Sequence, residues 1–366
     1  MKRLYPLIDL LFKLLSKFSN LIKKDKNKII VGANYGHFFT DNPRYIFEFL
    51  EDKSEFDHLF ISKNKELISK LNHPRCVHSF SAKAFFHFLR SRTIICGGEI
   101  DIFPYHRSKN QFVINQWHGI PIKNIGTYQG KEMDSSWFDY ILASSDKEKE
   151  LLATAFNVST SKVLTIGTPR NDVLINPPKK DNGDGFQILY APTFRDDTNV
   201  DFFNFPDYNA KELDEFCSKN KITFKVKPHL HDYRAGNNKL KFDELNCVDV
   251  IFDSALDFQE LLKESDVLIT DYSGVYFDYL LLDNPIIFFP YDLEEYRKKR
   301  GFMYSYEDNT PGPKVYTQKE LIDYLNDIVQ NKDEFAQERA LKTKEYHLHR
   351  DGKNTERLYS FIKENI

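Results

Sequence analysis

The sequence predicts an α/β protein of two doubly wound domains in tandem, each on a mainly parallel sheet. Three observations lead there. A length of 366 residues exceeds one ordinary core and suits two domains. Short apolar runs alternate with helical stretches over most of the chain, the signature of βαβ units. That alternation breaks once, between Gly167 and Gly185, where Pro169, Pro177, Pro178 and Gly183 gather among charged residues, and then restarts. Hydrophobic residues make up 41% and aromatic residues 15%, enough for packed interiors.

The elements follow in order. From Leu4 to Ile22, apolar residues fall at helical spacing beside Lys13 and Lys17. Residues 1–24 therefore read as an amphipathic helix, either docked on its own domain or lying in a membrane interface. Leu10 and Phe12 widen the apolar face and favour the membrane. A first domain over 25–166 has strands at Ile29–Gly32, His58–Ile61, Thr93–Cys96, Phe112–Asn115, Tyr140–Ala143 and Val163–Ile166, with Asp41-Asn42-Pro43 opening a helix. Residues 167–185 form a linker. A second domain over 186–345 has strands at Ile188–Ala191, Thr223–Val226, Val248–Phe252, Val267–Thr270 and Pro285–Phe289, and helices at Leu256–Lys263, Val275–Leu282 and Lys319–Val329. Residues 346–366 hold a terminal helix expected to pack back on the first domain.

Composition excludes several classes. With 51 basic and 54 acidic residues there is no basic surplus for nucleic acid. The four cysteines, Cys76, Cys96, Cys217 and Cys247, form no CxxC pair and suit a reduced, cytosolic protein. No apolar run is long enough to span a bilayer, and Asp9, Lys13 and Lys17 interrupt any signal-peptide core. Walker A, GxGxxG, HExxH and GxSxG motifs are all lacking. Glu99 and Asp101 are the nearest approach to a metal-binding acidic pair; neither a metal nor a cofactor is expected.

Ligands of open α/β sheets bind beyond the carboxyl ends of the strands, so the residues there carry the functional expectation. Trp117, His118, Gly119 and Lys123 follow one strand; histidine moves protons near neutral pH, and glycine permits close backbone approach. Thr193 and Arg195 follow the first strand of the second domain, and a hydroxyl with a guanidinium fork suits phosphate. Lys227 and His229 bring two potential cations to another strand end. Asp271, Ser273 and Gly274 follow a fourth strand, with Ser273 expected to cap a helix whose open amides suit phosphate. Asp271 is expected to accept from a ligand hydroxyl or to orient a neighbouring cation. Taken singly, each fragment also has an ordinary structural reading: a packed histidine, a turn, a solvated loop, a plain cap.

Taken in order, these fragments resemble the CDP-glycerol glycerophosphotransferase family of teichoic acid and capsule synthesis. The resemblance is carried by Trp117–Lys123, Gly167–Asp172, Tyr190–Arg195, Lys227–His229 and Asp266–Ser273, then Phe277–Leu280, Pro290–Leu293, Arg300–Phe302 and Pro311–Pro313. It implies a GT-B fold, two Rossmann-like domains facing each other across a cleft. It implies a CDP-glycerol (or CDP-ribitol) donor, a lipid-linked or polymeric glycan acceptor, and a peripheral place on the cytoplasmic face of the membrane, against the inner leaflet. His118 matches the family's general base towards the acceptor hydroxyl. His229 matches the histidine near the donor diphosphate, and the two are expected to meet across the cleft. Thr193, Arg195 and Ser273 match donor positions, with Lys227, Asp271 and Gly274 beside them; Trp117, Gly119 and Lys123 fall on the acceptor side. Many members carry a second serine where this chain has Gly274. Long family polymerases also carry an extra N-terminal domain not found in this sequence, which makes a long-chain polymerase the less expected member. The alternatives are a ribitolphosphotransferase, a sugar transferase or epimerase using a UDP-sugar, and a membrane-bound scaffold without catalysis.

Overall fold

The computed structural model describes residues 5–177, 185–193, 195, 199–228, 232, 238–252 and 256–365, the side chains of residues 5–9 and 99–100 excepted. The chain folds as two units. The first comprises Met1–Gly119, Lys131–Asp172 and His347–Ile366, the second Ile120–Gly130 and Val173–Tyr346.

In the first unit, α1 (Tyr5–Ser19) precedes β1 (Asp25–Gly32), α2 (Asp41–Glu51), β2 (Asp57–Ser62), α3 (Lys65–Leu71), β3 (Cys76–His78), α4 (Ala82–Arg90), β4 (Ser91–Cys96), β5 (Phe112–Asn115), β6 (Tyr140–Leu142), α5 (Asp146–Ala155) and β7 (Val163–Leu164). The seven strands are parallel in the order β3-β2-β1-β4-β5-β6-β7. Ile29, Ile30 and Val31 are fully buried because both sheet faces are covered, which explains continuous apolar runs in place of alternation. On one face α2, through Ile46, Phe47 and Leu50, packs with Leu358 and Ile362 of the terminal helix Asn354–Asn365. The strand order reverses after β3, so the right-handed crossover puts α4 on the other face.

The second unit has β8 (Phe186–Tyr190), β9 (Ile222–Val226), β10 (Val248–Val250), β11 (Val267–Thr270) and β12 (Ile286–Phe288), all parallel in the order β10-β9-β8-β11-β12. One face buries Ile188, Phe203, Phe224 and Leu321. The other buries Leu189, Leu268, Tyr272 and Phe277 together with Ile120 and Ile122.

Four local expectations change. Strand β3, three residues long, is too short for periodicity to reveal. The helix expected over Val275–Leu282 ends at Tyr279 and continues as a 3₁₀ turn to Leu282. Lys123, assigned above to the acceptor side of the first domain, belongs to the second unit. There it bridges Phe302 in antiparallel fashion, while Met303 N donates to Ile122 O at 2.9 Å. Gly167–Asp172, assigned to a linker, groups with the first unit, because Asp172 accepts from the amides of Asn354 and Thr355, each at 2.8 Å.

Those two bonds satisfy amides at the start of the terminal helix that would otherwise lack partners. Asp172→Ala is expected to cost about 1–2 kcal/mol, the usual worth of a lost helix cap. Hydrogen exchange should show faster exchange across Asn354–Asn365, with β8–β12 unchanged.

Candidate active site

The first cluster is built at the carboxyl end of β5. Asn115 Oδ1 accepts from Trp117 N at 2.9 Å, and Asn42 Nδ2 donates to Trp117 O at 3.2 Å. These bonds hold Trp117 at φ 53°, a left-handed conformation uncommon for a bulky residue, with its ring edge-on to Phe156. The turn delivers His118 against Asp41, with Nδ1 3.0 Å from Asp41 Oδ2. The ring lies over Gly97, where a Cβ would stand 2.9 Å from His118 Cε1. Gly119 follows at φ 99°, and a Cβ there would meet Arg170 Nη2 at 2.3 Å, so both conformation and space require glycine.

Asp41 is the centre of this arrangement. Arg170 Nη1 donates to its Oδ1 at 2.6 Å, and Asn42 Oδ1 accepts from Arg170 N at 3.0 Å. Burial opposes the charge of Asp41, but the Arg170 guanidinium and His118 outweigh it and hold the carboxyl well below the usual range. For His118, burial opposes the imidazolium. The hydrogen bond and charge of Asp41, aided by Asp101, outweigh burial and the opposing Arg170, so the pKa lies above its ordinary value. An ionised Asp41 fixes the proton on Nδ1 and leaves Nε2 as the base. The His118 side chain is 44% exposed. Asp101 is committed elsewhere: its carboxylate accepts from the amides of Gly97 and Gly98 at 2.9 Å and of Tyr35 at 2.6 Å.

The second cluster sits at the carboxyl ends of β8 and β11. Asp271 Oδ1 accepts from Thr193 N at 2.7 Å, and its Oδ2 from Arg195 Nη2 at 2.8 Å. Arg195 also donates to Asp292, from Nη2 at 2.9 Å and Nε at 3.1 Å, and to Thr193 O at 2.6 Å. The guanidinium lies 5.0 Å from the ring centres of both Tyr272 and Tyr296, and those rings stack 4.1 Å apart. Tyr272 Oη donates to Asp292 at 2.9 Å.

Arg195, expected among the donor-binding residues, is already engaged within the chain. It is buried and its charge is met by two carboxylates, so it shapes the loop. Asp271 orients a neighbouring cation, one of the two roles expected of it, and accepts from backbone amides as well. The hydroxyl of Thr193 is buried with no hydrogen-bond partner among the described residues. Ser273 stands one residue before the cap position, Gly274, and its Oγ accepts from Val275 N, the first amide of the helix, at 3.4 Å. A Cβ on Gly274 would stand 2.4 Å from Ile120 O, so the space at this turn suits glycine. Lys227 Nζ donates to Leu256 O at 3.0 Å. His229 lies outside the described residues.

Sequence reasoning missed Asp41 and Asp292 as site residues. Asp41 was visible only as the first residue of a helix; its neighbour in the fold is 77 positions away. Asp292 stood in a stretch of matching residues with nothing local to pair it with Arg195.

Two outcomes follow. In Asp41→Asn, loss of the carboxylate lowers the His118 pKa, so the acidic limb of the kcat/KM profile moves to lower pH. The plateau falls by about 10²–10⁴-fold, the span of general base catalysis. Arg195→Met strands two carboxylates in a buried setting and is expected to destabilise the second unit by about 3–5 kcal/mol in denaturant melts. A cation serving only to grip ligand would leave the melt unchanged.

The family model for CDP-glycerol:poly(glycerophosphate) glycerophosphotransferases matches residues 14–364. A teichoic acid glycerol-phosphate transferase of Staphylococcus aureus is 29% identical over 383 residues, covering 96% of this chain and 95% of the relative. A teichoic acid poly(glycerol phosphate) polymerase of Bacillus spizizenii is 28% identical over 351 residues, covering 86% and 87%. Among solved structures, the wall teichoic acid polymerase TagF superposes with a TM-score of 0.77 at 23% identity, over 98% of this chain and 93% of that one. The UDP-GlcNAc 2-epimerase of Neisseria meningitidis does so at 0.54 and 12% identity, over 92% and 99%. These likenesses give the chain a GT-B-like fold. The match along nearly the whole sequence shows that the chain belongs to the CDP-glycerol:poly(glycerophosphate) glycerophosphotransferase family.

Proposed function

We propose that this chain transfers glycerol phosphate from CDP-glycerol to a hydroxyl of a teichoic acid or capsule type acceptor, lipid-linked or polymeric, and releases CMP. The reaction takes place at the cytoplasmic face of the membrane. The observation that carries the reading is the Asp41–His118 pair, a base with one nitrogen fixed and the other open.

The acceptor O–H bond breaks and its proton passes to His118 Nε2. The oxygen bonds to the phosphorus bearing glycerol, and the bridging P–O bond breaks with its electron pair going to CMP. Asp41 stabilises the imidazolium that forms and holds the ring in place; Arg170 keeps Asp41 ionised. In the second unit, the unpartnered Thr193 hydroxyl and the Ser273–Gly274 turn take the donor, with His229 and Lys227 balancing charge on the diphosphate. Arg195 and Asp292 hold that loop in shape. Trp117 and Gly119 set the acceptor side.

Incubation with radiolabelled CDP-glycerol and a lipid-linked acceptor tests the reading. Label should enter the acceptor with release of CMP, and His118→Ala should lose about 10²-fold or more in turnover. Near wild-type turnover by His118→Ala would sink the base. CDP-ribitol outcompeting CDP-glycerol would reassign the donor, and UDP release from a UDP-sugar would reassign the reaction.

A further inference from the structure

The carboxyl edge of the first sheet carries a second group of polar residues near His118. The turn Asn34–Gly36 follows β1, and its three residues all have left-handed φ, at 44°, 57° and 71°. Tyr35 N donates to Asp101 Oδ1 at 2.6 Å. Lys63 N and Ser62 Oγ, at the end of β2, donate to Gly36 O at 2.7 and 2.8 Å. So held, the turn leaves Tyr35 62% exposed, with His37 exposed beside it.

Lys63 is the cation of this group. Its stem crosses Gly36, where a Cβ would stand 2.9 Å from Lys63 Cε, and its ammonium lies 5.3 Å from the centre of the Phe103 ring. Burial lowers the Lys63 pKa; at His37, burial and then the charge of Lys63 do the same, which places the two groups together. Among the described residues no carboxylate forms an ion pair with this ammonium. Asp101 attracts it from further off, but its oxygens serve three amides. A half-buried charge in this position lacks the partner that burial calls for.

His118 and Lys63 lean towards one place. His118 comes from β5 and lies over Gly97 at the end of β4; Lys63 comes from β2 and lies over Gly36 beyond β1. Asp101 adjoins both: a Cβ on Gly97 would stand 3.3 Å from its Oδ2, and one on Gly36 3.2 Å from its O. Strands β1 and β4 are neighbours where the strand order reverses, and there a parallel sheet opens its ligand crevice.

From this arrangement we infer that Lys63, rimmed by His37 and Tyr35, holds a phosphodiester of the acceptor, so that the chain selects acceptors ending in polyol phosphate over neutral glycans. The ammonium donates to the phosphate oxygens and gains the counter-charge it lacks. The attacking hydroxyl, a few bonds along the same polyol, is then presented to His118. The inference rests on the transfer reading above and names what its acceptor carries.

The test is saturation-transfer NMR of the full chain, without donor, against glycerophosphoglycerol, a phosphodiester with free hydroxyls, and diglycerol, its neutral counterpart. Wild type should bind the diester in preference to diglycerol. Lys63→Met should weaken diester binding by roughly tenfold to a hundredfold, the worth of a hydrogen bond to a charged group. Lys63→Arg keeps the charge and should stay near wild type, and both variants should melt as the wild type does. In turnover, Lys63→Met should raise the KM for a phosphodiester acceptor more than it lowers kcat, with the KM for CDP-glycerol unchanged. Equal binding of the two probes by the wild type, binding of neither, or wild-type affinity in Lys63→Met overturns the inference. So does a rise in the KM for CDP-glycerol alone, which would place Lys63 on the donor, or a lowered melt with both KM values impaired, which would make its role structural. Because the binding measurement contains no donor, its failure leaves the transfer reaction standing, and a failed transfer assay leaves the diester subsite standing.

Discussion

Asp41, held between Arg170 and His118, is the interaction on which the geometry around His118 depends. The carboxylate joins three stretches of chain: the start of α2, the turn after β5 and the Pro169–Leu174 turn, whose Asp172 caps the terminal helix. Arg170 keeps it ionised despite burial, and an ionised partner gives His118 both orientation and a raised affinity for a proton. The strained Trp117 and the close-packed glycines at 97 and 119 are consequences, since each lets the ring or its support approach without steric cost. A base whose pKa is raised is a stronger acceptor of the proton it must take, at the expense of being partly protonated at lower pH.

The second unit solves a similar problem with the charges reversed. There an arginine is held between two carboxylates, and tyrosine rings close over it. Breaking such a buried group is costly because the remaining partners are left uncompensated. The cluster therefore ties Thr193 and Arg195, after β8, to Asp271, after β11, while the Thr193 hydroxyl has no partner among the described residues. In both units the charged residues lie at strand ends, where a parallel sheet places its loops.

What could be read from sequence divides along physical lines. The strands were legible because both faces of each sheet are covered, so β1, β5 and β11 appear as unbroken apolar runs. His118 was legible because it stands just beyond such a run. Asp41 was not, since pairing with a residue 77 positions away leaves no mark in local spacing. Arg195 showed its residue type but not its surroundings: nothing beside it reveals that Asp271 and Asp292 converge on it. The placement of Ile120–Gly130 with the second unit was hidden for the same reason, because its partners, Gly301 to Met303, lie far along the chain. The outward stripe of α1 was readable from the helical spacing of its apolar residues.

The central claim is that Asp41 fixes His118 with its proton on Nδ1 and its lone pair on Nε2. Nitrogen-15 NMR of the His118 ring, at pH above its titration, measures this directly. The account predicts a pyrrole-type shift at Nδ1 and a pyridine-type shift at Nε2. A ring protonated mainly on Nε2, or averaging equally between the two tautomers, would contradict it.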